Sequence, residues 1–356
     1  MARVAAGSDA HLRIFRMTSA AWRSGFTRVF RAPAIVVGML ALTMAAALPA
    51  AIVLRGIIQA HLGRSVMGDA ASEAVNYDWW QEFTSQASGL ATTFSPAIIG
   101  FAATLDNLSS VLDGQTEIVP IGAVLAAYMV AWIFLSGGIV DRLARQRSTR
   151  AFAFFGACGV FFWRFLRLAI VAGVVYWFLF SYIHPWLLED AYRRLTRDLA
   201  VERNAFFWRI ALYASFGACV IAANLVFDYA RIRLVVEDRR SALGAIRAAL
   251  AFIGRHPRTT AGLYALNALT FIVLIAVWAV VAPGAGPTGA MMWVGFLVAQ
   301  LYLLARVVLK LQFVASQTAL FQASLAHAEY AAVPAREWPD SPAVEAVAGV
   351  SSTTLR

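Results

Sequence analysis

Along the 356-residue chain, long uncharged apolar runs alternate with segments where arginines and acids collect. A bilayer core about 30 Å thick needs roughly 20 helical residues at about 1.5 Å each, and residues 34–54, 118–140, 205–227, 260–282 and 288–309 meet that length directly. The run 151–183 is longer than a bilayer requires and is interrupted by Trp163-Arg164-Phe165-Leu166-Arg167. Arginines at mid-depth are costly, so this run is predicted to divide into an interfacial helix over 148–164 and a span over 165–183. Residues 90–105 are uncharged but short, hold Thr92-Thr93 and Ser95-Pro96, and read as interfacial or re-entrant. Residues 311–330 are predicted to continue the sixth span as an amphipathic helix. The pattern predicts an all-α fold, a polytopic membrane bundle of six transmembrane helices with interfacial amphipathic helices. Its parts are an interfacial segment over 1–33, a membrane domain over 34–330 with an extracytoplasmic loop at 55–117, and an alanine-, proline- and serine-rich tail over 331–356 that reads as disordered.

Composition excludes a water-soluble globule: 60% of residues are hydrophobic, 14% are charged, and mean hydropathy is +0.67. The net charge of +10 comes from 30 basic against 20 acidic residues, and every basic residue except Lys310 is arginine. Arginine placement gives the orientation, because short basic loops stay cytoplasmic. Six arginines precede the first span, four lie over 142–150, and seven lie from Arg231 to Arg258, whereas the 55–117 loop has two arginines against seven acids. Both termini are therefore expected in the cytoplasm, with the chain in the cytoplasmic (inner) membrane. Anionic headgroups, at about 1 kcal/mol per basic residue near the surface, account for the excess charge without a nucleic-acid partner. A cleaved signal peptide is the weaker reading of the N-terminal region, because the first apolar run exceeds the usual signal h-region. Cys158 and Cys219 lie in apolar runs without partners at metal-ligand spacing, so neither a metal nor a cofactor is expected.

Leu12, Phe15, Trp22, Phe26 and Val29 fall on one helical face, with Arg13, Arg16, Arg23, Arg28 and Arg31 on the other, as in a helix lying among headgroups. Leu243, Ile246, Leu250 and Ile253 repeat that face before the fifth span. Laying Pro33 on Pro257 also superimposes Arg23 on Arg247 and Arg31 on Arg255. A weaker third copy lies at 148–167 without the proline. The expectation is an internal repeat of three units, each an interfacial helix with a pair of spans. This plan, with Phe227-Asp228-Tyr229-Ala230-Arg231, Glu237-Asp238-Arg239-Arg240-Ser241-Ala242 and Arg255-His256-Pro257, resembles a group of uncharacterised bacterial six-helix membrane proteins. It is similar to the membrane domain fused to some glycerophosphodiester phosphodiesterases. The phosphodiesterase catalytic domain has no counterpart here, and the resemblance implies no catalytic residue.

Intramembrane polar residues are the default functional candidates. Asn224, Asn267 and Gln300 fall in the cytoplasmic halves of spans four to six and are predicted to share a level, either as a small polar cavity or as hydrogen-bonding glue. Asp228 and Arg231 are spaced for an ion pair, as are Arg233 and Glu237. Asp228, Arg231, Arg233, Arg239 and Arg240 form a candidate headgroup- or partner-binding handle, or an ordinary salt-bridged helix end. Trp22, Trp79 and Trp80 read as interfacial anchors. HExxH, GxSxG and phosphate-loop patterns are absent, and no span pairs carboxylates or joins a nucleophile to a base. The expectation is a non-enzymatic membrane protein handling lipids or small amphiphiles, with anionic lipid headgroups as partners. The alternative is a scaffold that docks proteins through the 55–117 loop or the tail.

Overall fold

The computed structural model describes residues 2–73, 76–94, 109, 113, 119–199, 201–283 and 289–327. Among them the chain is helical without strands: α1 (Ala2–Phe30), α2 (Pro33–Leu62), α3 (Gly68–Glu73), α4 (Tyr77–Gln86), a 3-10 turn (Gly89–Thr93), α5 (Val119–Arg145) and α6 (Ala151–Phe178). α6 continues through two π turns (Leu179–Ile183 and Trp186–Ala191) into α7 (Tyr192–Thr196), followed by α8 (Glu202–Val236), α9 (Ala242–Arg255), α10 (Pro257–Val281) and α11 (Ala290–His327). Six helical stretches are long and apolar enough to cross a membrane, carried by α2, α5, α6 with its continuation, α8, α10 and α11. The described residues thus form an all-helical, multi-pass membrane fold. Residues 95–108, most of the 90–105 segment, and the tail 331–356 lie outside the described residues.

The expected break near Arg164 does not occur, since α6 runs unbroken from Ala151 to Phe178. The reason is a partner remote in sequence. Arg164 Nη1 donates to Asp238 Oδ1 at 2.5 Å and to the Arg239 carbonyl at 3.3 Å, so the turn after α8 neutralises the charge. Glycines let α5 and α6 approach closely. A Cβ on Gly137 would lie 2.6 Å from Phe161 Cβ, and one on Gly138 would lie 2.5 Å from Cys158 Sγ.

The helix α1, expected to lie among headgroups, is divided more finely than a two-faced wheel. Thr18, Ala21, Gly25, Arg28 and Val29 are its buried stripe, while Phe15 and Phe30 are exposed. Small residues let α1 lie against α11, where Gln312 Nε2 donates to the Trp22 carbonyl at 2.8 Å, as small-residue seams do in membranes. Arg28, expected on the polar face, is buried. Its Nη1 donates to Gln322 Oε1 at 2.8 Å and the Leu143 carbonyl at 3.2 Å, satisfying a carbonyl that the end of α5 leaves open. Burial lowers its pKa from the ordinary arginine value.

The two proline turns match. Ala32 (φ −129, ψ 55) and His256 (φ −127, ψ 45) precede Pro33 and Pro257 at helix starts, where proline's missing N–H is harmless.

Packing is uneven along the bundle. Tyr229, Ile232 and Leu234 of α8, Ala245 and Phe252 of α9, Leu263 of α10, and Leu320 and Phe321 of α11 form a core near the arginine-rich end, joined by Phe161 and Phe165 of α6. Val29, Met39, Ile139, Leu143, Val307, Leu311 and Ala315 form a second core beside it. Beyond these, α2 buries only Met39, α10 buries nothing after Asn267, and α11 buries nothing before Val307. A small separate cluster of Trp79, Phe83 and Ala91 covers the far end of α2.

Candidate functional site

The polar residues singled out from sequence occupy several environments. Asn267 is 2% exposed, and its Nδ2 donates to Ser316 Oγ at 2.9 Å. Tyr176 Oη donates to Asn224 Oδ1 at 2.5 Å, and Tyr264, one turn before Asn267, also hydrogen-bonds Asn224. Gln300 is not at this level. It precedes Ser316 by 16 residues on α11, roughly 24 Å along the axis. The expected trio therefore reduces to Asn224 and Asn267, because α11 sits deeper than the 288–309 window placed it.

The predicted ion pairs form. Asp228 accepts from Arg231 and, at 3.0 Å, from Gln317 Nε2. The adjoining cavity is about 10 Å³, room for no more than a water-sized group. Arg233 grips Glu237 with two donors, Nη2 at 2.6 Å and Nε at 3.0 Å, while Arg239 also donates to Glu237. Burial pushes the Glu237 carboxyl up, but the hydrogen bonds and charges of Arg233 and Arg239 outweigh it and leave the pKa below its ordinary value. These side chains are spent within the protein, while Arg240 is exposed.

Of the three tryptophans, Trp22 donates its indole N–H to Thr270 Oγ1 at 3.1 Å. Trp79 is 6% exposed among His61, Phe83 and Phe94. Trp80 is half-buried beside Tyr77.

A site not anticipated from sequence lies between α2, α5, α10 and α11. It is a cleft of about 390 Å³, and Thr43, Tyr128, Phe271, Leu303, Arg306 and Lys310 are among the residues lining it. Its depth follows from three independent spans. The apolar windows 34–54, 118–140 and 260–282 have midpoints at 44, 129 and 271, each within one residue of Thr43, Tyr128 or Phe271. Arg306 and Lys310 thus stand beside the midpoints of those three apolar windows. Lys310 Nζ donates to Tyr128 Oη at 3.3 Å and lies 3.8 Å from the Trp132 ring centroid, and the Arg306 guanidinium lies 5.7 Å from the Tyr302 ring. Cation–π contact favours a cation away from water. Among the described residues neither cation has a carboxylate within 4.0 Å, and both are exposed to the cleft and its opening. The signal in the sequence is two cations four residues apart, one of them the only lysine, separated by Val307-Val308-Leu309.

Among the described residues no group of three His, Cys, Asp or Glu side chains could hold a metal ion. Compared with protein-family models, curated proteins and solved structures, the chain matches none of them.

Proposed function

We propose that this multi-pass membrane protein is non-enzymatic and handles anionic amphiphiles, holding a negatively charged headgroup against Arg306 and Lys310. The observation that carries the reading is the pair of cations beside the midpoints of the apolar runs, without carboxylate partners among the described residues, in a cleft of about 390 Å³ with apolar walls. Ionisable groups at that depth are expensive and are usually functional, and the volume falls within the range of small-molecule sites, about 300–1,000 Å³. The arginine distribution supports a location in the inner membrane of a bacterium with both termini cytoplasmic. The matching turns at Pro33 and Pro257 support a duplication, in keeping with the layout that resembles the phosphodiesterase-linked membrane domains.

The test is lipid analysis by mass spectrometry of protein purified in mild detergent. Wild-type protein is expected to retain phosphatidylglycerol or another anionic phospholipid, and the double variant R306Q/K310Q to lose it while K310R keeps it. Retention unchanged in the double variant rules the cleft out. If a stoichiometric protein also co-purifies, the scaffold reading takes its place.

A further inference from the structure

We infer that the cleft is a half-way station for the movement of net-anionic phospholipids across the membrane, entered from the leaflet away from the arginine-rich end. This rests on the proposed reading of Arg306 and Lys310 as an anion site. By the midpoints of the three apolar windows beside it, a headgroup held there sits within the interior of a core about 30 Å thick and not at its surface. A site that only retained a surface lipid would leave the headgroup in its own plane. Placing an anion at half depth is unfavourable unless fixed cations replace its hydration, and this cleft supplies two.

The two ends of the cleft differ. Toward the arginine-rich end it is closed by packed side chains. Met39 and Leu311 share one core, Gln312 donates to the Trp22 carbonyl at 2.8 Å, and Asn267 donates to Ser316 at 2.9 Å. Toward the other end no described residue of α2, α10 or α11 is buried, and the next packed layer there is the Trp79, Phe83 and Ala91 cluster at the far end of α2. Ile272 and Val273 of α10 and Leu297 and Leu301 of α11 are exposed along this half, a surface suited to acyl chains. Among the described residues, packing is therefore denser on the arginine-rich side of the cations than on the other side.

The lining also sets the headgroup class. It offers cationic and hydroxyl groups, and the nearby Trp132 and Tyr128 ring faces are already covered by the Lys310 ammonium. The ammonium of a zwitterionic lipid would meet two like charges and no carboxylate among the described residues. A phosphate diester without an amine meets only attraction.

The experiment places the full-length protein in phosphatidylcholine vesicles carrying acyl-chain-labelled phosphatidylglycerol or acyl-chain-labelled phosphatidylcholine as tracer. Dithionite then reports which labels reach the outer leaflet, with and without an imposed membrane potential. Protein-dependent movement is expected for the phosphatidylglycerol tracer, slowed by about tenfold or more in R306Q/K310Q, as loss of charged hydrogen bonds implies, and restored in part by K310R. Equal movement of both tracers, or none in either condition, overturns the inference. A parallel measurement separates the two proposals. Phosphatidylglycerol retained by the purified protein without movement leaves the binding reading standing and removes transit. If the detergent-solubilised protein binds inorganic phosphate as tightly as the lipid, the site serves a soluble anion and both proposals fail.

Discussion

Arg28 and Lys310 show how differently the fold treats two cations from apolar surroundings. Arg28 is 8% exposed and its hydrogen bonds are used on the end of α5 and on Gln322, so it is a structural clasp. Lys310 rests on aromatic faces and remains open to the cleft. The sharpest electrostatic consequence at this scale belongs to Glu237. Its folded pKa lies below the ordinary value near 4.5, so its stabilising effect is complete above that value and is lost as pH falls through the folded pKa. The Tm of wild-type protein in detergent is expected to drop faster than that of E237Q below about pH 4.5, and the two curves to converge in acid. A constant gap between the curves would show that the Arg233 and Arg239 contacts contribute nothing through charge. The i,i+3 and i,i+4 spacings around Asp228 and Glu237 made these pairs legible in the sequence, because such neighbours meet on any helix. Arg28 was misread, because the same wheel cannot say which helix arrives on which side.

At the scale of elements, α1 was legible as an amphipathic helix but not as a clamp. Trp22 touches two of the four cleft-forming helices, α10 and α11. Its indole donates to Thr270 of α10 at 3.1 Å, and its carbonyl accepts from Gln312 of α11 at 2.8 Å. W22F keeps an aromatic ring against Phe26 and deletes the indole donor. It is expected to lower stability by about 0.5–1.5 kcal/mol, with T270V similar and the double variant less than additive. A thermal-unfolding double-mutant cycle checks this, and full additivity would show that the pair is not energetically coupled. α6 makes the complementary point. Hydropathy argued for a break at Arg164, yet the helix continues, because Asp238 from another element supplies the counter-charge. A local pattern registers the problem of a buried arginine, but only a remote contact registers its solution.

Across the whole molecule, stability is concentrated at the arginine-rich end, where side chains from α1, α5, α6, α8, α9, α10 and α11 enclose the two cores. Truncating Phe321, fully buried, is expected to cost about 3–5 kcal/mol. Truncating Leu297, 60% exposed, should stay within about 0.5 kcal/mol. Equal losses of Tm in detergent would contradict the uneven packing. Among the described residues that unevenness leaves less packing on one side of the cleft, so the same arrangement underlies both the fold's strength and the proposed route for lipid. The sequence by itself determined that the chain is helical, that six runs can cross a membrane, and where arginine accumulates, since each depends on residues adjacent along the chain. Only the tertiary structure decided the register of α11 against its neighbours, and with it the exclusion of Gln300 from the polar level and the arrival of Arg306 and Lys310 beside Thr43, Tyr128 and Phe271. A helix of 38 residues is roughly 57 Å long, far more than a bilayer needs, so its own composition cannot say which part is embedded. The contacts Asn267 with Ser316, and Lys310 with Tyr128, fix that register because they tie α11 to helices whose depth is set by their own length.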